Sequence, residues 1–106
     1  MRVQQQKKEG ERNRMKCDVC GKEGDVFVAS SAYGAVSFAY CKDCLLNGRE
    51  PYWAIVSYIA CAGHFPEDIN EEYQKDVRRQ LELHGINEEQ FIQDVEKEIR
   101  YEQIMR

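Results

Sequence analysis

Four cysteines fall into two pairs with the same spacing, Cys17-x-x-Cys20 and Cys41-x-x-Cys44. This spacing allows two thiolates from a single tight turn to bind the same metal ion. Twenty residues separate Cys20 from Cys41, which is enough for a β-hairpin to bring the two pairs together. Two such pairs at this separation are a strong indication of a structural zinc site with four thiolate ligands. We therefore predict that these four cysteines bind one Zn²⁺ ion.

The rest of the composition indicates a small globular protein that is not exported. The chain has 106 residues, of which 42% are hydrophobic and 32% are charged, and this is ordinary for one domain. No apolar run reaches the roughly 18 residues that a membrane span requires, and the polar N-terminus has no secretory signal. Without export, five cysteines indicate metal ligands and one spare thiol rather than a disulfide framework. We expect a cytoplasmic protein.

The charge of the chain is unevenly distributed. Residues 1–16 carry a net charge of +4, and residues 17–106 carry −8. A folded part of that sign repels a phosphate backbone, so any contact with nucleic acid has to come from the N-terminal segment. Because residues 1–16 also lack hydrophobic periodicity, we predict a flexible basic arm, either a solvated tail or a docking arm for an acidic partner.

The residues around the cysteines predict a zinc knuckle, a hairpin and a helical turn. In the knuckle, residues 17–25, Gly21 allows the positive φ that turns backbone N–H groups towards the sulfurs. Residues 26–40 contain two β-prone runs joined near Gly34, which predicts a β-hairpin. The second cysteine pair then opens a helical turn that ends near Asn47-Gly48.

A buried central helix is predicted to follow. Residues 52–62 are apolar nearly all round, and Gly63 ends the run. Cys61 lies beside two alanines in this run, so we expect a small core residue there rather than a metal ligand. Three aromatic residues of the helix are expected in the core, with a stacking platform for a partner as the alternative: Tyr52, Trp53 and Tyr58.

Two further helices are predicted to form an antiparallel helical hairpin. The first has an apolar stripe with a period of four residues and ends at His84-Gly85. The second, about 88–104, begins at a capping box made of Asn87 and Gln90. The connection between them is short, which favours antiparallel packing. The last helix is predicted to extend about one turn beyond the helix before it, and this extension contains Tyr101, Ile104 and Met105.

The order knuckle, hairpin and then Cys-x-x-Cys at a helix start resembles the treble-clef zinc fingers. The segments that carry this resemblance are CDVCGK, the hairpin, and CKDC running into a helix. The resemblance covers about residues 17–62. It implies that all four paired cysteines bind one zinc ion, with the second pair near a helix N-terminus, where the dipole favours thiolates. Gly48 and Pro51 break the helix soon after Cys44, where a treble clef continues it, so a zinc-ribbon arrangement is the alternative.

Together these elements predict an α+β fold. A small zinc-stapled β-hairpin and a central helix form a treble-clef-like module, and the C-terminal antiparallel helical hairpin packs on it. We assign residues 1–16 to the arm, 17–62 to the four-cysteine module with its central helix, and 63–106 to the helical hairpin. We expect one globular domain overall.

Catalysis is not expected from this sequence. A closed set of four cysteines leaves no open position on the metal for water, and no nucleotide-binding, hydrolase or deaminase motif occurs. His64 and His84 follow or end predicted helices, where we expect them to complement the helix dipole. Iron in a rubredoxin-like site is the rival ion, but the second pair lacks the glycine that normally follows each pair in such sites.

We expect a non-enzymatic, zinc-stabilised regulatory or adaptor protein that acts by protein–protein interaction. A small protein of this kind suits a bacterial or phage regulator. A homodimer through the C-terminal helices is a further expectation, and the alternative is that the apolar end of the last helix folds back on the zinc module. The helical hairpin has an acidic face, either solvated surface or a guide for a basic partner, made of Glu71, Glu72, Asp76, Glu82, Glu88, Glu89 and Glu96. The alternative function is a nucleic-acid-binding zinc finger that uses the basic arm, through Arg2, Lys7, Lys8, Arg12, Arg14 and Lys16.

Overall fold

A computed structural model describes residues 4–5 and 15–105, with the side chains of residues 15–104. The chain divides into two compact units, Met1–Pro51 and Tyr52–Arg106. The helix over residues 52–62 therefore belongs to the second unit, whereas the predicted boundary lies after residue 62. The boundaries differ because the apolar side chains of this helix pack against the two helices that follow it.

The predicted basic arm lies mostly outside the described residues. Two pieces of it are short strands, Gln4–Gln5 and Met15–Lys16. The first pairs with the predicted hairpin, and the second belongs to the knuckle. The flexibility of the other arm residues stays a prediction.

The described part of the first unit contains five short strands and one short helix. These are β1 (Gln4–Gln5), β2 (Met15–Lys16), β3 (Glu23–Gly24), β4 (Phe27–Ser30), β5 (Ser37–Tyr40) and α1 (Lys42–Asn47). One antiparallel sheet has the order β1-β4-β5, and β2 pairs with β3 in a second. The predicted hairpin is thus formed by β4 and β5, which pair from Phe27–Tyr40 to Ser30–Ser37.

A buried carboxylate fixes the loop of this hairpin. Glu50 accepts hydrogen bonds from the Ser31 hydroxyl (2.9 Å), the Ala32 N–H (3.2 Å) and the Tyr40 hydroxyl (2.8 Å). These donors offset the cost of burying its charge. Burial and the neighbouring carboxylate raise the pKa of Tyr40, so its hydroxyl remains a donor. The loop and the end of β5 are thereby tied to the segment that follows α1.

The second unit consists of three helices in the described residues. They are α2 (Tyr52–Ala62), α3 (Glu71–His84) and α4 (Glu88–Met105), and the last two form the predicted helical hairpin. The rings of Phe65 and Phe91 pack edge to face in the core, with 5.1 Å between their centroids. The most deeply buried apolar side chains of the core are at most 1% exposed, and they are Ile55, Ile59, Val77, Phe91 and Val95. The predicted α+β class is confirmed. None of the described helices has the length and apolar character of a membrane span.

α2 is buried on one side only. Four of its residues are buried, among them Ile55 and Ile59, but Trp53 is 57% exposed and Cys61 is also exposed. The predicted burial of this helix is therefore confirmed on one side, and the predictions that Trp53 and Cys61 lie in the core are wrong. In a three-helix unit α2 has two neighbours, so side chains that face neither neighbour stay outside the core.

The same capping arrangement begins α3 and α4. The side-chain oxygens of Asn70 and Asn87 accept hydrogen bonds from the backbone N–H groups of Tyr73 (2.9 Å) and Gln90 (2.8 Å). The predicted capping box is only half formed, because the Gln90 side chain accepts no hydrogen bond from the Asn87 N–H and instead donates to Asp94 (3.0 Å). The start of each helix therefore depends on one asparagine amide.

Replacing Asn87 with Ala is expected to lower the free energy of unfolding by about 1 kcal/mol, because the Gln90 N–H loses its acceptor. Urea denaturation of the metal-loaded chain, followed by far-UV circular dichroism, measures this change. The control is Gln93→Ala, at an exposed position inside the same helix, which should change stability by no more than about 0.5 kcal/mol. Equal losses in the two variants would contradict the capping role.

Candidate metal centre

The first cysteine pair lies in a tight loop closed by a two-stranded ladder. β2 pairs with β3, which leaves residues 17–22 as the loop between them. The Cys17 N–H donates to the Lys22 carbonyl (3.0 Å), and the Gly21 N–H donates to the Cys17 carbonyl (2.9 Å). Gly21 has a φ of +79°, the conformation predicted for it, which a β-carbon would strain. The Val19 N–H lies 3.4 Å from the Cys17 sulfur, so the loop directs a backbone donor at a ligand atom.

The second cysteine pair lies at the beginning of α1. Cys41 is the N-cap residue, and its side chain makes no capping hydrogen bond to the helix. The Leu45 N–H donates to the Cys41 carbonyl (2.9 Å), which places Cys44 in the first turn. The predicted break at Gly48 is confirmed, because this glycine ends the six-residue helix in the left-handed conformation.

Asp18 connects the two pairs, and the sequence analysis missed it. Its N–H donates to the Ala39 carbonyl (2.7 Å), and its carboxylate accepts from the Ala39 N–H (2.8 Å). The knuckle loop is therefore docked on the edge of β5, two residues before Cys41. A signal was present, since Asp18 lies between two ligands. Its partner is 21 residues away, and only the fold brings the two together.

The four predicted cysteines come together in one cluster. The sulfur atoms of Cys17, Cys20, Cys41 and Cys44 all lie within 4.8 Å of one another, and the Cys20 and Cys41 sulfurs are 3.8 Å apart. A tetrahedral site with metal–sulfur bonds of about 2.3 Å has sulfur–sulfur edges of about 3.8 Å, whereas a disulfide requires about 2.05 Å. The cluster thus has the size and the donor set of a four-thiolate metal site.

Most of the cluster is shielded from solvent. Cys17, Cys41 and Cys44 are buried, Cys20 is exposed, and Val19 packs against the buried three. Burial acts to raise the pKa of Cys17, but N–H groups from Cys20, Cys41 and Val19 outweigh it and lower this pKa to about 7. Burial and the adjacent thiols raise the pKa of Cys44. Four thiolates this close repel one another, so full ionisation requires a cation among them.

The other chemically active side chains form no comparable site. Among residues 15–104, no second group of three or more His, Cys, Asp or Glu side chains brings its ligand atoms this close together. Cys61 is outside the cluster. His84 ends α3, as expected, and its ring meets that of Tyr52 at 6.2 Å between centroids. His64 lies two residues past α2, where its Nδ1 is 3.5 Å from the Glu96 carboxylate.

These observations place a candidate four-cysteine metal site in a small α+β protein. No family model, curated protein or solved structure matches the chain.

Asp18→Ala is expected to weaken zinc binding by about tenfold, because the loop then keeps one of its two hydrogen bonds to β5. Competition with a chromophoric chelator measures the affinity. Asp25→Ala removes the same charge at an exposed position and should retain the affinity within about twofold. If both variants lose affinity equally, the charge and not the hydrogen bond is responsible.

Cys44→Ser is expected to abolish stoichiometric zinc binding and to unfold the first unit. The binding free energy of a structural zinc site, about 10–16 kcal/mol, is part of its folding free energy. Elemental analysis and circular dichroism melting before and after chelation test both effects. Cys61→Ser is the matched control and should keep one ion per chain. If chelation left the melting curve of the wild-type chain unchanged, or if the control lost its metal, the assignment of the four cysteines as ligands would be refuted.

Proposed function

We propose that this chain is a non-enzymatic, zinc-stabilised regulatory or adaptor protein that acts by binding another protein. The observation that carries the proposal is the closed cluster of four cysteine sulfurs within 4.8 Å of one another. Four thiolates fill a tetrahedral coordination shell, so the ion is structural and the binding surface lies elsewhere on the chain.

Zinc fits this cluster better than iron, its rival for four thiolates. In rubredoxin-like sites a glycine normally follows each pair, and Gly21 follows the first pair here. Leu45 follows the second pair, and it is a helical residue of α1. The two halves of the site are thus a glycine turn and a helix start, which favours a zinc finger.

The finger type that we propose is the treble clef. Its order of knuckle, hairpin and helix is the order found between residues 15 and 47. In a zinc ribbon the second pair would lie on another turn, whereas here it opens α1. The helix departs from the typical finger by ending after six residues.

The charge of the second unit supports a basic protein partner. Residues 52–106 carry twelve acidic and six basic side chains, for a net charge of −6. Some of the acidic face is paired internally, with Asp76 bound to Arg79 and Glu88 bound to Arg78. Other members are exposed to solvent, namely Glu71, Glu72, Glu82 and Glu89. Such a surface steers the approach of a positively charged partner.

Exposed apolar side chains of the second unit support a contact surface. Trp53 is 57% exposed, Tyr101 is 58% exposed and Ile104 is 78% exposed, whereas the side chain of Met105 lies outside the described residues. Aromatic residues with this exposure are common anchors of protein interfaces. The homodimer expected at the end of α4 stays a prediction.

The alternative function, nucleic-acid binding through the basic arm, depends on six cations in residues 1–16. Lys16 is exposed, and the other five lie outside the described residues. The net charge of −8 over residues 17–106 opposes any contribution from the rest of the chain.

A mobility shift on duplex DNA and on single-stranded RNA decides between the two functions. We expect no shift with either probe at low salt. A shift that weakens with salt at a log–log slope of about −4 to −5 is the signature of six phosphate contacts. If that shift also disappeared when glutamine replaced the six arm cations, the alternative would replace the proposal.

Affinity capture with the metal-loaded chain, from the cells that produce it, tests for the protein partner. We expect a specific protein that the arm variant retains equally well. Failure of the wild-type chain to retain any protein would contradict the proposed function.

A further inference from the structure

A groove runs between α2 and α4 of the second unit. Its volume is about 360 Å³, and its lining includes Trp53, Tyr101 and the buried Val56, with Asp94 and Glu98 beside them. This volume is near the lower end of the range for ligand pockets, about 300–1,000 Å³. The groove has room for one or two side chains of a partner.

Two aromatic rings give the groove a surface that attracts cations. Trp53 and Tyr101 are both more than half exposed, although large aromatic side chains are normally covered. The faces of tryptophan and tyrosine rings carry partial negative charge and bind ammonium or guanidinium groups. An apolar lining that contains two such rings therefore suits the stem and the head of a long cationic side chain.

The charged lining residues favour the same type of ligand. Asp94 is held in place by hydrogen bonds from the Tyr52 hydroxyl and from Gln90. Within residues 15–104, the Glu98 carboxylate makes no ion pair, although it is half-buried at the groove. Lys97 also lines the groove, and its single cation leaves the two carboxylates in excess. The net charge of −6 on the unit acts in the same direction.

We propose that the groove between α2 and α4 binds an arginine side chain from a basic peptide segment of the partner protein. The inference rests on the proposed function and names the surface that performs it. The guanidinium group stacks against Trp53 and Tyr101 and donates hydrogen bonds to Glu98. Arginine fits better than lysine, because its planar head stacks on aromatic rings and pairs with a carboxylate through two parallel hydrogen bonds.

Other partners fit this groove less well. A neutral apolar segment would remove water from Asp94 and Glu98 without pairing their charges, which is costly. An acidic segment would be repelled by the same two carboxylates. A second copy of this chain would bring a further net charge of −4 to an acidic surface.

The chain contains its own reporter for this proposal, because Trp53 is its single tryptophan. A short peptide with one arginine between two leucines is titrated into the metal-loaded full chain, and Trp53 emission is recorded. The control peptide has citrulline, which is similar in shape but uncharged, in place of arginine. We expect a saturable change with the arginine peptide and at least about fivefold weaker binding of the citrulline peptide.

Variants locate the binding site in the groove. Glu98→Gln and Tyr101→Ala should each weaken binding of the arginine peptide by about five- to tenfold, whereas Tyr101→Phe keeps the ring and should bind as the wild type does. Glu67→Gln removes the same charge at an exposed position of the second unit that lies outside both the groove and the acidic face. It should cost no more than about twofold.

Three results of the peptide titrations would overturn the groove assignment. They are the absence of a saturable change, equal affinity for the citrulline peptide, and equal losses in Glu98→Gln and Glu67→Gln. A fourth is a concentration-dependent dimer, seen by sedimentation, that covers Trp53 and excludes the peptide, since a second copy would then be the occupant.

Repeating the affinity capture with Glu98→Gln separates this inference from the proposed function. Loss of the captured protein from this variant supports the groove as its binding surface. Undiminished capture would overturn the groove assignment and leave the adaptor function in place. If the wild-type chain captured no protein but bound the arginine peptide through Glu98, the groove would stand and the adaptor function would fail.

Discussion

The close packing of four cysteine sulfurs is the interaction on which the first unit depends. Its described strands are two to four residues long, and isolated ribbons of this length are marginal in water. Neighbouring thiolates within 4.8 Å add repulsion, which a bound cation turns into attraction. The ion is therefore expected to close the fold of this unit, as structural metals do in small domains with modest cores.

Two carboxylates that are not metal ligands hold the backbone around the cysteine cluster in place. Asp18 docks the knuckle loop on β5, and Glu50 holds the hairpin loop and the Tyr40 hydroxyl. Tyr40 directly precedes Cys41, so both carboxylates fix backbone that leads into the cysteine cluster. Positioning of this type lowers the entropy that metal binding must otherwise overcome. The second unit has a core of its own around Phe91 and Val95.

The sequence predicted features that local chemistry determines. Cysteine spacing identified the cluster, the apolar run and Gly63 predicted α2 at Tyr52–Ala62, Gly48 predicted the end of α1, and Asn87 predicted the start of α4. It could not predict contacts between distant residues, such as those of Asp18 with Ala39. It was also wrong about Cys61, because a uniformly apolar helix sequence does not reveal which side its neighbours will cover. The Gln90 side chain also departs from the predicted capping box, because Asp94, one turn later in α4, offers its amide a charged acceptor.

The central claim is that four sulfurs, and no solvent oxygen, surround one zinc ion. X-ray absorption at the zinc edge of the purified, metal-loaded chain tests it most directly, because scattering distances identify the ligand atoms. We predict a single shell of four sulfur atoms at about 2.3 Å. A shell that contains oxygen or nitrogen, or a purified chain with no zinc, would contradict the account.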